Sequence, residues 1–276
     1  MDLAGINFYL SAILALAFSY TRDESIGMTL LIALVAFLVV YIAITVATWL
    51  FIIAVALISR KEPRNGKLSG FHGFVMNLGL TAIASYARIR VKVKGKDKLP
   101  LDPYLLVCNH RSNFDNFILS AVIKNPYLVF ISKPENFKIP FVGRMMGRCG
   151  YLAIDRENPR AALKTINKAA EMIKDSGAYV GVFPEGTRGS GEGVADFSEG
   201  CFLVAKKAGC PVVVAVLDGT EKIHKRFPLT TTVKLEFIEV IDPETVREKR
   251  SGELSDIAHT LIENRLLEGG GKDKTV

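Results

Sequence analysis

A chain of 276 residues has room for one sizeable catalytic domain and a small appendage. Its 49% apolar content and positive mean hydropathy are high for a purely soluble domain. The net charge of +7 comes without any nucleic-acid-binding motif, which argues against a nucleic-acid partner. Cys108, Cys149, Cys201 and Cys210 have no metal-ligand spacing and lie in apolar segments, so they read as free thiols kept in a reducing compartment.

The apolar excess is concentrated at the start. Leu3–Tyr20 and Ile26–Ser59 are uncharged runs. About 20 apolar residues cross a bilayer core, so both qualify as spans and together predict an N-terminal membrane helical hairpin over residues 1–60. Met1 and Asp2 supply no basic region, so a cleaved signal peptide fits poorly. The connector holds Arg22 against Asp23 and Glu24, whereas Arg60, Lys61, Arg64 and Lys67 follow the second run, then Arg88, Arg90, Lys92, Lys94, Lys96 and Lys98. That asymmetry predicts a cytoplasmic-membrane protein with its main domain on the cytoplasmic side, its basic flank meeting anionic lipid. Residues 61–87 form a connector in which Leu68–Ala87 reads equally as an interfacial helix in the headgroup layer or as a helix packed on the domain.

Residues 88–268 alternate between strand-like and helix-like segments. RIRVKVKG (88–95) alternates basic with apolar residues, as an edge strand with one wet face does. YLLVCN (104–109), YLVFIS (127–132), AYVGVF (178–183), PVVVAVL (211–217) and TVKLEFIEVI (232–241) are further strands. Pro159–Ser176 is a helix, with Asn158 as its cap and Gly177 at its end. Glu199–Ala208 and Glu253–Leu267 are two more, and 269–276 is a polar tail. Continuous Val/Ile/Leu strands separated by helices predict an α/β fold, a mixed sheet flanked by helices on both faces.

Chemistry is concentrated in NHRSNFD (109–115) and FPEGTRG (183–189). On a regular helix five residues turn through about 500°, leaving His110 and Asp115 about 140° apart. The two can pair if 104–109 is a strand, His110 lies in the turn and a helix begins near Ser112 or Asn113. Asp115 then accepts the Nδ1 proton of His110, and Nε2 is left as a base for a hydroxyl. In the second segment Gly186 and Gly189 allow a tight loop, Thr187 adds a hydroxyl and Arg188 can grip phosphate. Cys108 shares a strand face with His110 and is a competing nucleophile, although a thiol in an apolar strand is usually a small buried hydrophobe.

NHRSNFD and FPEGTRG resemble the first and third sequence blocks of the glycerolipid acyltransferases. Residues 131–156 resemble the second block, with Lys133, Pro140, Gly143 and Arg156 at matching places. CPVVVAVLDG (210–219) resembles the fourth, with Val214 or Ala215 where a second proline is usual. The resemblance implies that His110, oriented by Asp115, activates the free hydroxyl of a lysophospholipid. That oxygen attacks the thioester of acyl-CoA or acyl carrier protein directly. Glu185, Gly186, Thr187, Arg188 and Arg156 are implied to bind the acceptor's phosphate, with Lys133 also a candidate. No metal or other cofactor is called for. The acceptor expected is 1-acyl-sn-glycerol 3-phosphate, with glycerol 3-phosphate or another lysophospholipid as the alternative and a non-catalytic lipid-binding protein as a different class.

Overall fold

The computed structural model describes residues 3–20, 25–59, 62, 67–187 and 193–270. Helices α1 (Leu3–Tyr20) and α2 (Ile26–Ile58) match the two apolar runs almost to the residue. α2 is about 50 Å long at 1.5 Å per residue, and α1 about 27 Å, against a hydrocarbon core of about 30 Å. Among the described residues α2 alone is long and apolar enough to cross a membrane, with a mean hydropathy of 3.0. The Asn7 amide donates to the Thr45 hydroxyl (2.8 Å) and the Tyr41 carbonyl (3.3 Å), and Thr45 Oγ1 also meets the Tyr86 hydroxyl at 3.1 Å. In such apolar surroundings an unpartnered amide is costly, so these contacts fix how α1 and α2 sit on the next helix.

That helix, α3 (Gly70–Tyr86), buries Val75, Met76, Leu80 and Ala82 and leaves Phe71 and Phe74 exposed. A Cβ at Gly73 would lie 1.8 Å from the Pro126 carbonyl oxygen, so only glycine permits this approach. The helix packs on the domain through α4 and α5, while its exposed phenylalanines keep one apolar edge.

The chain then continues as β1 (Ile89–Lys94), β2 (Leu105–Cys108), α4 (Asp115–Ile123), β3 (Leu128–Ser132), α5 (Val142–Cys149), β4 (Leu152–Ala153), α6 (Pro159–Ser176) and β5 (Tyr179–Val182). After these come α7 (Leu203–Ala208), β6 (Val212–Asp218), α8 (Ile223–Arg226), β7 (Thr231–Ile241), α9 (Pro243–Glu248) and α10 (Ser251–Gly270). The strands form one sheet in the order β1-β7-β6-β2-β5-β3-β4. Every neighbouring pair is parallel except β6 with β7, so the sheet is mixed as expected. Buried valines and leucines of β2 and β6 fill its centre, where covering helices require apolar side chains on both faces. β1 is an edge strand, with Arg90 and Lys92 exposed beside half-buried Ile89 and Val91.

α6 has the expected ends: the Asn158 side chain accepts from Ala161 N (3.1 Å), and Gly177 closes the helix at φ 65°. Elsewhere the boundaries move. The helix expected from Ser112 or Asn113 starts at Asp115, and the segment from Glu199 opens as a 3-10 turn (Glu199–Phe202) before α7. α5 and β4 had no clear sequence signal. β4 is only two residues long, and Gly143 in α5 is there for clearance, because a Cβ would lie 2.0 Å from the Phe137 carbonyl oxygen.

Candidate active site

The parallel arrangement brings the carboxyl ends of β2, β3, β4 and β5 to one side of the sheet, where α/β proteins form their ligand crevices. β2 ends in a fixed exit. The buried Asn109 side chain donates to the Leu217 carbonyl and accepts from its N–H, both at 2.8 Å, tying the chain before the histidine to β6. His110 then turns its ring over Phe183, stacked at 4.3 Å and 19°, and Phe183 in turn stacks on Phe130.

His110 Nδ1 and Asp115 Oδ2 are 2.8 Å apart. The same oxygen accepts the backbone N–H groups of Arg111 (2.7 Å) and Ser112 (2.8 Å), and the residue is fully buried. Three donors on one oxygen keep the carboxylate bent back over the turn. This assigns the proton to Nδ1 and leaves Nε2 as an acceptor. The five-residue spacing works because Asp115 is the first residue of α4, not a member of its interior.

His110, Lys133, Arg156, Gly186 and Thr187 line a single cavity of about 380 Å³. Its remaining wall includes Met76 and Leu80 of α3, Phe130, Val142 and Met146, so a basic corner adjoins an apolar wall. Arg156 Nη1 donates to the Gly186 carbonyl, and Gly186 has φ 73°. A Cβ there would lie 2.3 Å from the Arg156 guanidinium, so this glycine supplies both the left-handed turn and the space for the arginine. Arg188 lies outside the described residues. Asn113, Asn116 and Ser132 also face the cavity without having been singled out. The spacing of Asn113, Asn116 and Phe117, three and four apart around the start of α4, was the available signal for two of them.

Glu185 is placed differently from the phosphate-binding role implied for it. It does not line the cavity, and its two oxygens accept from the backbone N–H groups of His110 (2.7 Å) and Ala195 (3.2 Å). Burial pushes its carboxyl above the ordinary range, and the two N–H donors partly offset this. A carboxylate would also repel a phosphate, so a brace between the two loops fits its chemistry better. Glu185→Ala should therefore lower kcat and thermal stability with little change in acceptor KM, since loss of a buried acceptor costs about 1–3 kcal/mol. Glu185→Gln, which keeps one acceptor oxygen, should fall between the two. A rise in acceptor KM with unchanged melting would contradict the brace.

Cys108 is fully buried, and burial raises its thiol well above the ordinary range, so almost no thiolate is present to act as a nucleophile.

A family model described as Acyltransferase matches residues 90–218. The chain is 30% identical over 177 residues to the 1-acyl-sn-glycerol-3-phosphate acyltransferase of Haemophilus influenzae, covering 63% of this chain and 72% of that one. Identity is 36% over 155 residues to the chloroplastic 1-acyl-sn-glycerol-3-phosphate acyltransferase LPAT1 of Arabidopsis thaliana, covering 55% of this chain and 42% of that one. The chain thus spans less than half the length of its plant relatives. The crystal structure of the 1-acyl-sn-glycerophosphate acyltransferase PlsC from Thermotoga maritima superposes with a TM-score of 0.58 at 21% identity, over 98% of this chain and 99% of that one, so the two share a fold. A matched family segment that carries both halves of the site, within a bacterial relative covered over most of its length, makes this chain a member of the acyltransferase family.

Proposed function

We propose that the protein transfers a fatty acyl group from a thioester donor, acyl-CoA or acyl carrier protein, to the free hydroxyl of 1-acyl-sn-glycerol 3-phosphate, forming phosphatidate for phospholipid synthesis. The observation that carries this reading is His110, held by the buried Asp115 and opening on the same cavity as Arg156 and Lys133. His110 Nε2 takes the proton from the acceptor hydroxyl as its oxygen attacks the thioester carbonyl. When the tetrahedral intermediate collapses, the C–S bond breaks and the imidazolium returns the proton to the departing thiolate. Asp115 stabilises the imidazolium between these steps. Arg156 and Lys133 hold the acceptor phosphate, and the apolar wall takes an acyl chain. This chemistry requires no resident metal or cofactor.

We take the acceptor to be acylated, because its chain can lie along the apolar wall beside the donor's acyl group. An acyl-transfer assay of the detergent-purified protein with a panel of acceptors tests the choice. The highest kcat/KM is expected for 1-acyl-sn-glycerol 3-phosphate, and a preference for glycerol 3-phosphate would overturn it.

The reading includes a membrane location. α1 and most of α2 present apolar side chains outward, Leu16, Leu30 and Val39 among them. We place this hairpin in the bilayer, with the basic flank on the cytoplasmic side. The protein should remain in membranes after high-salt and carbonate washing, whereas a purely electrostatic attachment is screened within about 10 Å at 0.1 M salt and would be released. A cysteine introduced at Asp23 should react from outside sealed cells, and one at Lys272 should not. Labelling of both from one side would mean that the hairpin enters a single leaflet without crossing.

A further inference from the structure

A second cavity, of about 690 Å³, lies between α5, β4 and α6. β4 is the last strand of the sheet, and the Thr165 hydroxyl bonds to its Ala153 carbonyl at 2.8 Å where α6 crosses it. Gly143, Gly147 and Gly150 keep one wall free of side chains. Arg144, Lys164 and Lys168 stand around it, with Glu62 the single carboxylate among its described lining residues. Arg144 uses one N–H on the Leu57 carbonyl (2.9 Å), which leaves most of its donors unspent among the described residues. Tyr151 belongs to the walls of both this cavity and the catalytic one.

The position is informative beyond the charge. Arg160, Lys164 and Lys168 are spaced four apart on α6 and so form one stripe about 12 Å long. The stripe runs toward the start of α6, and Asn158, the cap, is two residues from Arg156 in the catalytic cavity. The basic groove at the outer edge of β4 thus adjoins the catalytic cavity, with Tyr151 in the wall between them. The acceptor's phosphate is already provided for by Arg156 and Lys133. A thioester donor must bring its carbonyl to His110 while its polar head stays outside, and both candidate donors carry that thioester on a phosphorylated pantetheine arm.

We propose that this groove is the donor subsite, in which Arg144, Lys164 and Lys168 bind the pantetheine-linked phosphate of coenzyme A or of a carrier protein. The inference rests on the acyl-transfer reading, but its test does not require turnover. Binding of pantetheine 4′-phosphate and of pantetheine to the full-length protein in detergent would be measured for the wild type, for Lys164→Glu/Lys168→Glu and for Arg156→Ala. The phosphate should tighten binding tenfold or more in the wild type and in Arg156→Ala, and less than twofold in the double variant. Coenzyme A and holo-carrier protein, titrated in parallel, identify the source: the natural donor should show the same loss in the double variant. Its KM should rise at least tenfold while acceptor KM stays within twofold. The proposal is overturned if the phosphate gives no advantage, if the advantage survives in the double variant, or if it vanishes in Arg156→Ala instead. It is also overturned if the double variant loses only its binding to phosphatidylglycerol vesicles, which would make the groove a lipid-headgroup site. Should the phosphate effect hold while no acyl transfer occurs, the functional reading fails and the groove stands as a phosphopantetheine site.

Discussion

Replacing His110 with alanine should reduce acyl transfer by at least the 10²–10⁴-fold (about 3–5 kcal/mol) that a general base contributes, with membrane association unchanged and thermal stability lowered less than in the Asp115 variants. The substitution gives up the stack on Phe183 and one of the three donors to Asp115, but leaves that carboxylate its two backbone N–H groups. Asp115 behaves differently because its Oδ2 also receives two backbone N–H groups. In Asp115→Asn those donors force the amide oxygen to take the place of Oδ2, so the imidazole keeps its tautomer. The loss then comes from the missing negative charge beside the imidazolium, and from an amide nitrogen where Oδ1 now stands without a partner among the described residues. Asp115→Ala removes the acceptor altogether and orphans both backbone donors. The expected order of damage is therefore Asp115→Ala, then Asp115→Asn, with melting temperature falling in the same order. His110→Ala should match Asp115→Ala in rate and surpass both in stability. Rates above roughly a tenth of wild type in His110→Ala would remove it from the role of base.

The second large effect is expected at the basic corner. Arg156→Ala should raise acceptor KM by roughly ten- to hundredfold, since a charge-assisted hydrogen bond is worth about 1.5–3 kcal/mol. Donor KM should stay within about threefold. Arg156→Lys should recover only part of the loss, because an ammonium cannot reproduce the planar fork. Gly186→Ala should act in the same direction without touching any charge: its methyl would stand 2.3 Å from the Arg156 guanidinium, in a backbone conformation that disfavours side chains. Initial-rate kinetics with each substrate varied separately decide the matter. Equal changes in both KM values would move Arg156 out of the acceptor site.

The difference between what could be read from the residues and what could not has a physical pattern. α1, α2 and α6 were legible because local signals define their ends: unbroken apolar runs for the first two, and an asparagine cap, a proline and a terminal glycine for the third. The pairing of His110 with Asp115 was legible because five-residue spacing admits it only across a turn. Glu185 was not. Its partners are the backbone N–H groups of His110 and Ala195, one of them 75 residues away in sequence, and no side-chain pattern reports a backbone donor. Asn109 escaped notice for the same reason, since its partner Leu217 lies on another strand. α5 and β4 owe their existence to packing against α3 and β3, where glycines serve clearance and local propensity is weak. The basic groove could not be seen either, because Arg144 and the α6 lysines become neighbours only once α5 and α6 flank the sheet edge.

The most direct test of the chemistry follows thiol release and ester formation together, in purified protein supplied with acyl thioester and with or without 1-acyl-sn-glycerol 3-phosphate. Direct attack by a hydroxyl activated at His110 requires equimolar thiol and phosphatidate, with thiol release near background until the acceptor is added. A burst of thiol before the acceptor arrives, or thiol released without matching phosphatidate, would contradict a base that works only on a bound acceptor hydroxyl.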